Sequence, residues 1–155
     1  MAEILIIRSA SMQQLDLNLP AIQHRFNGFE WGVLTHEHGV TAVEKYSGVG
    51  NIYVYNHKSG FRFWRKAAQI SGRCFDAVVV QTANASGNGY LNVLLLAISI
   101  QSKKIYICNP ASEIKEIKKS IIILRSFLIC TFKLVSVVLT LPITIVLLVV
   151  AVIRA

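Results

Sequence analysis

Between Leu134 and Ile153 twenty consecutive residues carry no charge. A helix of that length rises about 30 Å, the thickness of a bilayer core. A core helix so apolar needs a large domain packed around it. A chain of 155 residues holds one compact domain and little more once this run is set aside. The run is therefore expected to span a membrane, with Pro142 placed to kink it.

Composition sharpens this division. Hydrophobic residues make up 54% of the chain and charged residues 15%, and from Ser120 to Ala155 only Arg125, Lys133 and Arg154 are charged. Two solvents are implied. The expected domains are an α/β domain over 1–111, a basic amphipathic juxtamembrane segment over 112–133, and a transmembrane helix over 134–153. The middle segment reads either as an interfacial helix or as the first arm of a hairpin turning near Lys133.

The net charge of +8 does not point to nucleic acid, because the cations gather beside the apolar tail, at Lys103, Lys104, Lys115, Lys118, Lys119, Arg125 and Lys133. That placement fits membrane lipid with anionic headgroups. By the positive-inside rule it places the domain on the cytoplasmic face of the cell membrane. The opening Met1-Ala-Glu-Ile-Leu-Ile-Ile-Arg8 lacks a basic leader, so it reads as a strand rather than a signal peptide. Cys74, Cys108 and Cys130 form no CxxC pair and read as reduced thiols.

Short apolar runs alternate with helical spacing along the first 111 residues. Strands are expected at 3–9, 30–35, 51–55, 75–81 and 104–108, and helices at 40–46, 61–70 and 89–100. A first helix is expected to start near Leu19, since Pro20 is tolerated in a first turn but not farther in. This alternation predicts a Rossmann-like parallel sheet of about five strands with helices on both faces.

Ligands of such sheets gather at the carboxyl ends of the strands. The candidate substrate-binding residues are Ser9, Ser11, Gln13 and Gln14 after the first strand, His36 after the second, and Asn84, Ser86 and Gly87 after the fourth. The loop at 9–14 reads equally as a polar connection. The glycine-bearing loop at 84–89 lacks the Lys and Ser/Thr of a Walker loop, and a plain turn is its simpler reading. His36 and His38 flank Glu37 but have no third ligand nearby in sequence, so no metal is expected. Phe61-Arg-Phe-Trp-Arg-Lys66 reads as an amphipathic helix with Phe61, Trp64 and Ala68 inward, or as a membrane or sugar-phosphate contact. No Ser-His-Asp or Cys-His arrangement can be assigned, and no GxGxxG follows the first strand, which argues against a dehydrogenase module.

Ile4-Leu-Ile-Ile-Arg-Ser-Ala-Ser11, Leu17-Asn-Leu-Pro-Ala-Ile-Gln-His-Arg-Phe26, Trp31-Gly-Val-Leu-Thr35 and Phe75-Asp-Ala-Val-Val-Val80 together resemble the N-terminal half of the heptosyltransferase-like (family 9, GT-B) glycosyltransferases over about 3–111. The resemblance implies a sugar or lipid-linked acceptor bound by this half and a sugar nucleotide bound by a second half. No second half follows in this sequence. It also implies a Gly-Asp pair in the first loop, with the Asp as base. Aligned on Leu19-Pro20-Ala21, those positions hold Gln13 and Gln14, and a Gln side chain takes up no proton near neutral pH. Asp16 is then the weak candidate for a catalytic residue. These features predict a membrane-anchored glycosyltransferase-like half-domain in envelope polysaccharide or glycolipid synthesis, without a cofactor of its own and served by a sugar-nucleotide-binding partner protein. The alternative is a non-catalytic membrane adaptor that docks other envelope enzymes.

Overall fold

In a computed structural model the chain forms two compact units, Met1–Ile122 and Ile123–Ala155. The structure describes residues 2–57, 60–65, 67–85, 87 and 89–154, with side chains described through most of the chain to 138 and at 140 and 144.

The first unit is built on a six-stranded sheet. In chain order its strands are β1 (Glu3–Ile7), β2 (Glu30–His36), β3 (Val49–Tyr55), β4 (Cys74–Gln81), β5 (Gln101–Cys108) and β6 (Ile114–Glu116). The spatial order is β3-β2-β1-β4-β5-β6, parallel except where β6 runs against β5. The helices are α1 (Met12–Arg25), the one-turn α2 (Val40–Val43), α3 (Leu91–Ser99) and α4 (Lys119–Arg154).

Strand alternation divides the core into two layers. Ile4, Ile6, Val33, Ala77 and Val79 pack with Leu15, Leu19 and Ile22 of α1 and Val43 of α2. Leu5, Ile7, Leu34, Val78 and Val80 pack on the other side with Leu94, Leu96 and Ala97 of α3. The connections change face between β1 and β4. That defines the switch point of a Rossmann-like mixed α/β fold, as the alternating pattern predicts.

Several element boundaries differ from the sequence expectation. α1 starts at Met12, capped by the Ser11 hydroxyl, which accepts from the Gln14 amide at 3.2 Å, and it carries Pro20 in its interior. Such a proline costs about 3 kcal/mol. Pro20 sits on the exposed face, while Leu15, Leu19 and Ile22 are buried on the other, and burying each stabilises by about 1.5–3 kcal/mol. Packing therefore outweighs the missing hydrogen bond.

The helix expected at 61–70 is replaced by a turn at Phe63–Trp64 and a short 3-10 turn at Ala68–Ile70. Phe61 is buried there, but Trp64 is 55% exposed and Ala68 is exposed, so the inward set fails. Side chains tie this segment to β3: the Tyr55 hydroxyl accepts from the Arg62 amide at 2.9 Å, and the Gln69 side-chain carbonyl accepts from the Val54 amide at 2.8 Å. β6 went unforeseen because three residues, Ile-Lys-Glu, carry no period of their own.

The backbone of α4 is helical without interruption through Lys133, where a hairpin turn was one expectation, and through Pro142. Its 36 residues extend about 54 Å, well beyond one bilayer core. Within the described residues Lys119–Val138 is long and apolar enough to cross a membrane. Most side chains of the charge-free run at 134–153 lie outside the described residues. Ile123, Leu124, Phe127, Leu128, Ile129 and Phe132 are all exposed, so apolar groups lie all round the helix rather than on one stripe. In the first turn Ile122 is fully buried in the core of the first unit.

Of the cations beside the tail, four are engaged within the domain, Lys119 by donating to the Ser102 carbonyl at 2.7 Å and three in ion pairs. Lys103 pairs with Asp76 at 2.6 Å, Lys104 with Glu116 at 3.2 Å and Lys115 with Glu113 at 2.7 Å. Cys74, Cys108 and Cys130 are all free thiols, and burial pushes the Cys108 thiol up to about 11.

Candidate functional site

The residue after β1 is the most unusual in the domain. Arg8 is 8% exposed and continues the alternation of Ile4 and Ile6, which turns it toward the α1 side of the sheet. Its Nε donates to the Thr35 hydroxyl at 2.7 Å and its Nη1 to the Ala10 carbonyl at 3.5 Å. Among the described residues no carboxylate pairs with it. Burial lowers the guanidinium pKa, and the nearby Tyr46 partly opposes this. Removing a cation from water without a counter-charge costs several kcal/mol, and two neutral acceptors offset only part of that.

Neighbouring strands place further polar groups at this carboxyl edge. Ser9 donates to the Gln81 carbonyl, joining β1 to β4 across the switch point. The Gln81 side chain is fully buried, and among the described residues neither its nitrogen nor its oxygen has a partner. Leaving such an amide unpaired costs about 1–3 kcal/mol per group.

The residues expected to bind substrate meet different fates. Ser9 lies on the edge as described. Ser11 serves as the α1 cap. Gln13 is exposed on the first turn of α1. Gln14 donates to the Asn18 side chain at 3.0 Å and to the Pro110 carbonyl at 3.4 Å, so it ties α1 to the chain after β5. Asp16 accepts a hydrogen bond from the Tyr46 hydroxyl, and burial together with that bond raises the tyrosine to about 12. Asn84 is half-buried and its carbonyl accepts from Thr82 at 2.8 Å. Gly87 is buried with φ +67, a conformation that favours glycine. Ser86 lies outside the described residues.

His36 belongs to a cluster that spacing alone did not reveal. Three of the four histidines in the chain, His36, His38 and His57, line a cleft of about 370 Å³ together with Glu37, Tyr55 and Asn56. The His36 ring stacks on His38 with centroids 5.6 Å apart and lies 4.5 Å from Phe61, while Tyr55 meets His57 edge-on at 5.1 Å. Burial first, then His38 and Arg8, lower the His36 pKa below its ordinary value. His57 follows β3, a strand that pairs with β2 but lies distant in sequence, so no local motif signals its arrival. Among the described residues no three His, Cys, Asp or Glu side chains are arranged to hold a metal ion.

The class these features define is a Rossmann-like α/β domain with a buried arginine at its carboxyl edge, followed by a C-terminal helix long and apolar enough to cross a membrane. No family model, curated protein or solved structure matches the chain.

Proposed function

We propose that this protein is a membrane-anchored, glycosyltransferase-like half-domain that binds a sugar-phosphate or lipid-linked acceptor for envelope polysaccharide or glycolipid synthesis. A separate donor-binding partner supplies the sugar nucleotide. The observation that carries this reading is Arg8, a buried cation at the switch point that pairs with no carboxylate among the described residues, where an anionic ligand would offset its burial. The apolar α4 supports residence at a membrane, and the positive-inside rule favours the cytoplasmic face.

A second reading, the non-catalytic adaptor, is favoured by a specific observation. Gln14, where the resemblance expects the base, is spent on bonds to Asn18 and Pro110, and Asp16 is held by Tyr46. A Gln side chain takes up no proton near neutral pH, so the position where the resemblance expects the base holds none.

The test uses the full chain in detergent. Farnesyl phosphate or glucose 1-phosphate should raise the melting temperature of the wild type but not of Arg8→Met. No sugar should be transferred from a nucleotide donor by the chain alone. Turnover by the isolated chain, abolished by Asp16→Asn, would overturn the half-domain reading; failure of both phosphates to bind would favour the adaptor.

A further inference from the structure

We propose that the histidine cleft at the carboxyl ends of β2 and β3 is the subsite for the phosphate group of the ligand, held by His36, His38 and His57. The inference rests on the acceptor reading above and assigns the acceptor's anionic group to a place in the fold.

Three observations converge on it. First, the cleft has about 370 Å³, within the size range of small-ligand sites, so a phosphate and an attached sugar unit or prenyl carbon fit together. Second, its lining is rich in imidazoles, each carrying an N–H donor in either protonation state and a positive charge when protonated, and a phosphate monoester offers three strong acceptor oxygens. Third, a fixed cation lies close by. Arg8 is close enough to His36 to oppose its protonation, His38 does the same, and Glu37 is the one acid in the lining.

A cation ligand is disfavoured, since among the described residues no three side chains are arranged as a metal site requires. Tyr55 and Phe61, both buried, pack against the His36 ring and fix its place in the cleft wall.

An anion in the cleft raises the proton affinity of the imidazoles around it, so by linkage the anion binds more tightly as the imidazoles protonate. The groups facing His36 are Glu37 and His38 from the turn after β2, Arg8 from the end of β1, and Tyr55 and His57 from β3 and the residues that follow it.

Inorganic sulfate remains a dianion across the relevant range, so it separates imidazole protonation from that of the ligand. The experiment titrates the full chain in detergent with sulfate, glucose 6-phosphate and farnesyl phosphate at about pH 5.5 and about pH 8. It is repeated with His38→Gln, His57→Gln and, as a control on the exposed face of α1, His24→Gln. Sulfate should bind about tenfold more tightly at the lower pH. That preference should shrink in His38→Gln and in His57→Gln and persist in full in His24→Gln. A further gain for glucose 6-phosphate identifies a sugar phosphate, and a further gain for farnesyl phosphate identifies a lipid phosphate. Sulfate affinity that ignores both pH and the two cleft substitutions would overturn the proposal. If the variants fail to fold, NMR of the wild-type imidazoles decides: sulfate should shift the His36, His38 and His57 signals and leave that of His24, and the reverse would overturn the proposal. Acceptor binding indifferent to the cleft would leave the acceptor reading standing, whereas sugar transfer by the chain alone would overturn the half-domain and leave the cleft.

Discussion

Arg8 reaches Gly39 at a distance that only a glycine permits: a Cβ at position 39 would lie 2.6 Å from Arg8 Nη2 and 2.3 Å from the Thr35 hydroxyl. The turn after β2 therefore lies directly against the guanidinium, and the absence of a side chain at 39 is what lets Arg8 stay on Thr35. Gly39→Ala should displace the guanidinium and destabilise the domain by about 1–3 kcal/mol. Chemical denaturation measures the loss. A stability equal to wild type would show that Arg8 has room to move.

Replacing Arg8 separates stability from binding. Arg8→Met keeps much of the side-chain volume and removes a buried charge that has no carboxylate partner, so the melting temperature should hold or rise. Binding of anionic ligands should fall at the same time. A variant that melts markedly lower would mean that the bonds to Thr35 and Ala10 compensate the charge fully.

The pH dependence of stability follows from His36. Its pKa is lowered in the folded state, so below the ordinary value of 6.5 the unfolded chain takes up the proton first. Stability from this group is present above about pH 6.5 and is lost as the pH falls toward the folded-state value. Urea midpoints measured from about pH 8 to about pH 5 should decline, and the decline should be shallower in His36→Gln. An unchanged slope in that variant would assign the acid sensitivity to another group.

The end of the folded domain is set by Ile122, which is fully buried although it belongs to α4. A chain ending after residue 122 should leave the membrane fraction on carbonate washing and unfold cooperatively, while the full chain stays with the membrane. A chain ending at Ser112 lacks β6 and Ile122 and should be less stable by several kcal/mol. Recovery of the full chain in the soluble fraction would contradict membrane insertion.

A long apolar C-terminal helix and the buried surface of β1 were both legible before any coordinates, because each depends on local composition, although the described apolar span, Lys119–Val138, takes in most of the stretch read as an amphipathic segment. Twenty charge-free residues specify a membrane-length helix whatever surrounds them. Ile4–Ile7 and Ala77–Val80 are continuous apolar runs that suit strands covered on both faces. Alternation of such runs with helical spacing was enough for a parallel α/β sheet.

The first helix was less legible, because Pro20 is a local signal against it and only the burial of Leu15, Leu19 and Ile22 against the sheet overrides that signal. The site was partly legible. The carboxyl ends of β1 and β2 are where a sheet of this kind gathers ligands, which pointed to Ser9 and His36. Nothing in the sequence distinguishes Arg8 from a solvated arginine, since its burial depends on Thr35 and Gly39, which lie on another strand and the turn that follows. Nor does sequence bring His57 to His36, because that meeting needs the register of β2 against β3. The sequence by itself determined the kinds of elements and the solvent each would face, through periodicity and hydropathy. Which polar groups share an edge, which charge is left without a partner and which histidines line one cleft were decided only by tertiary structure, because strand order and register bring together residues that no local spacing relates.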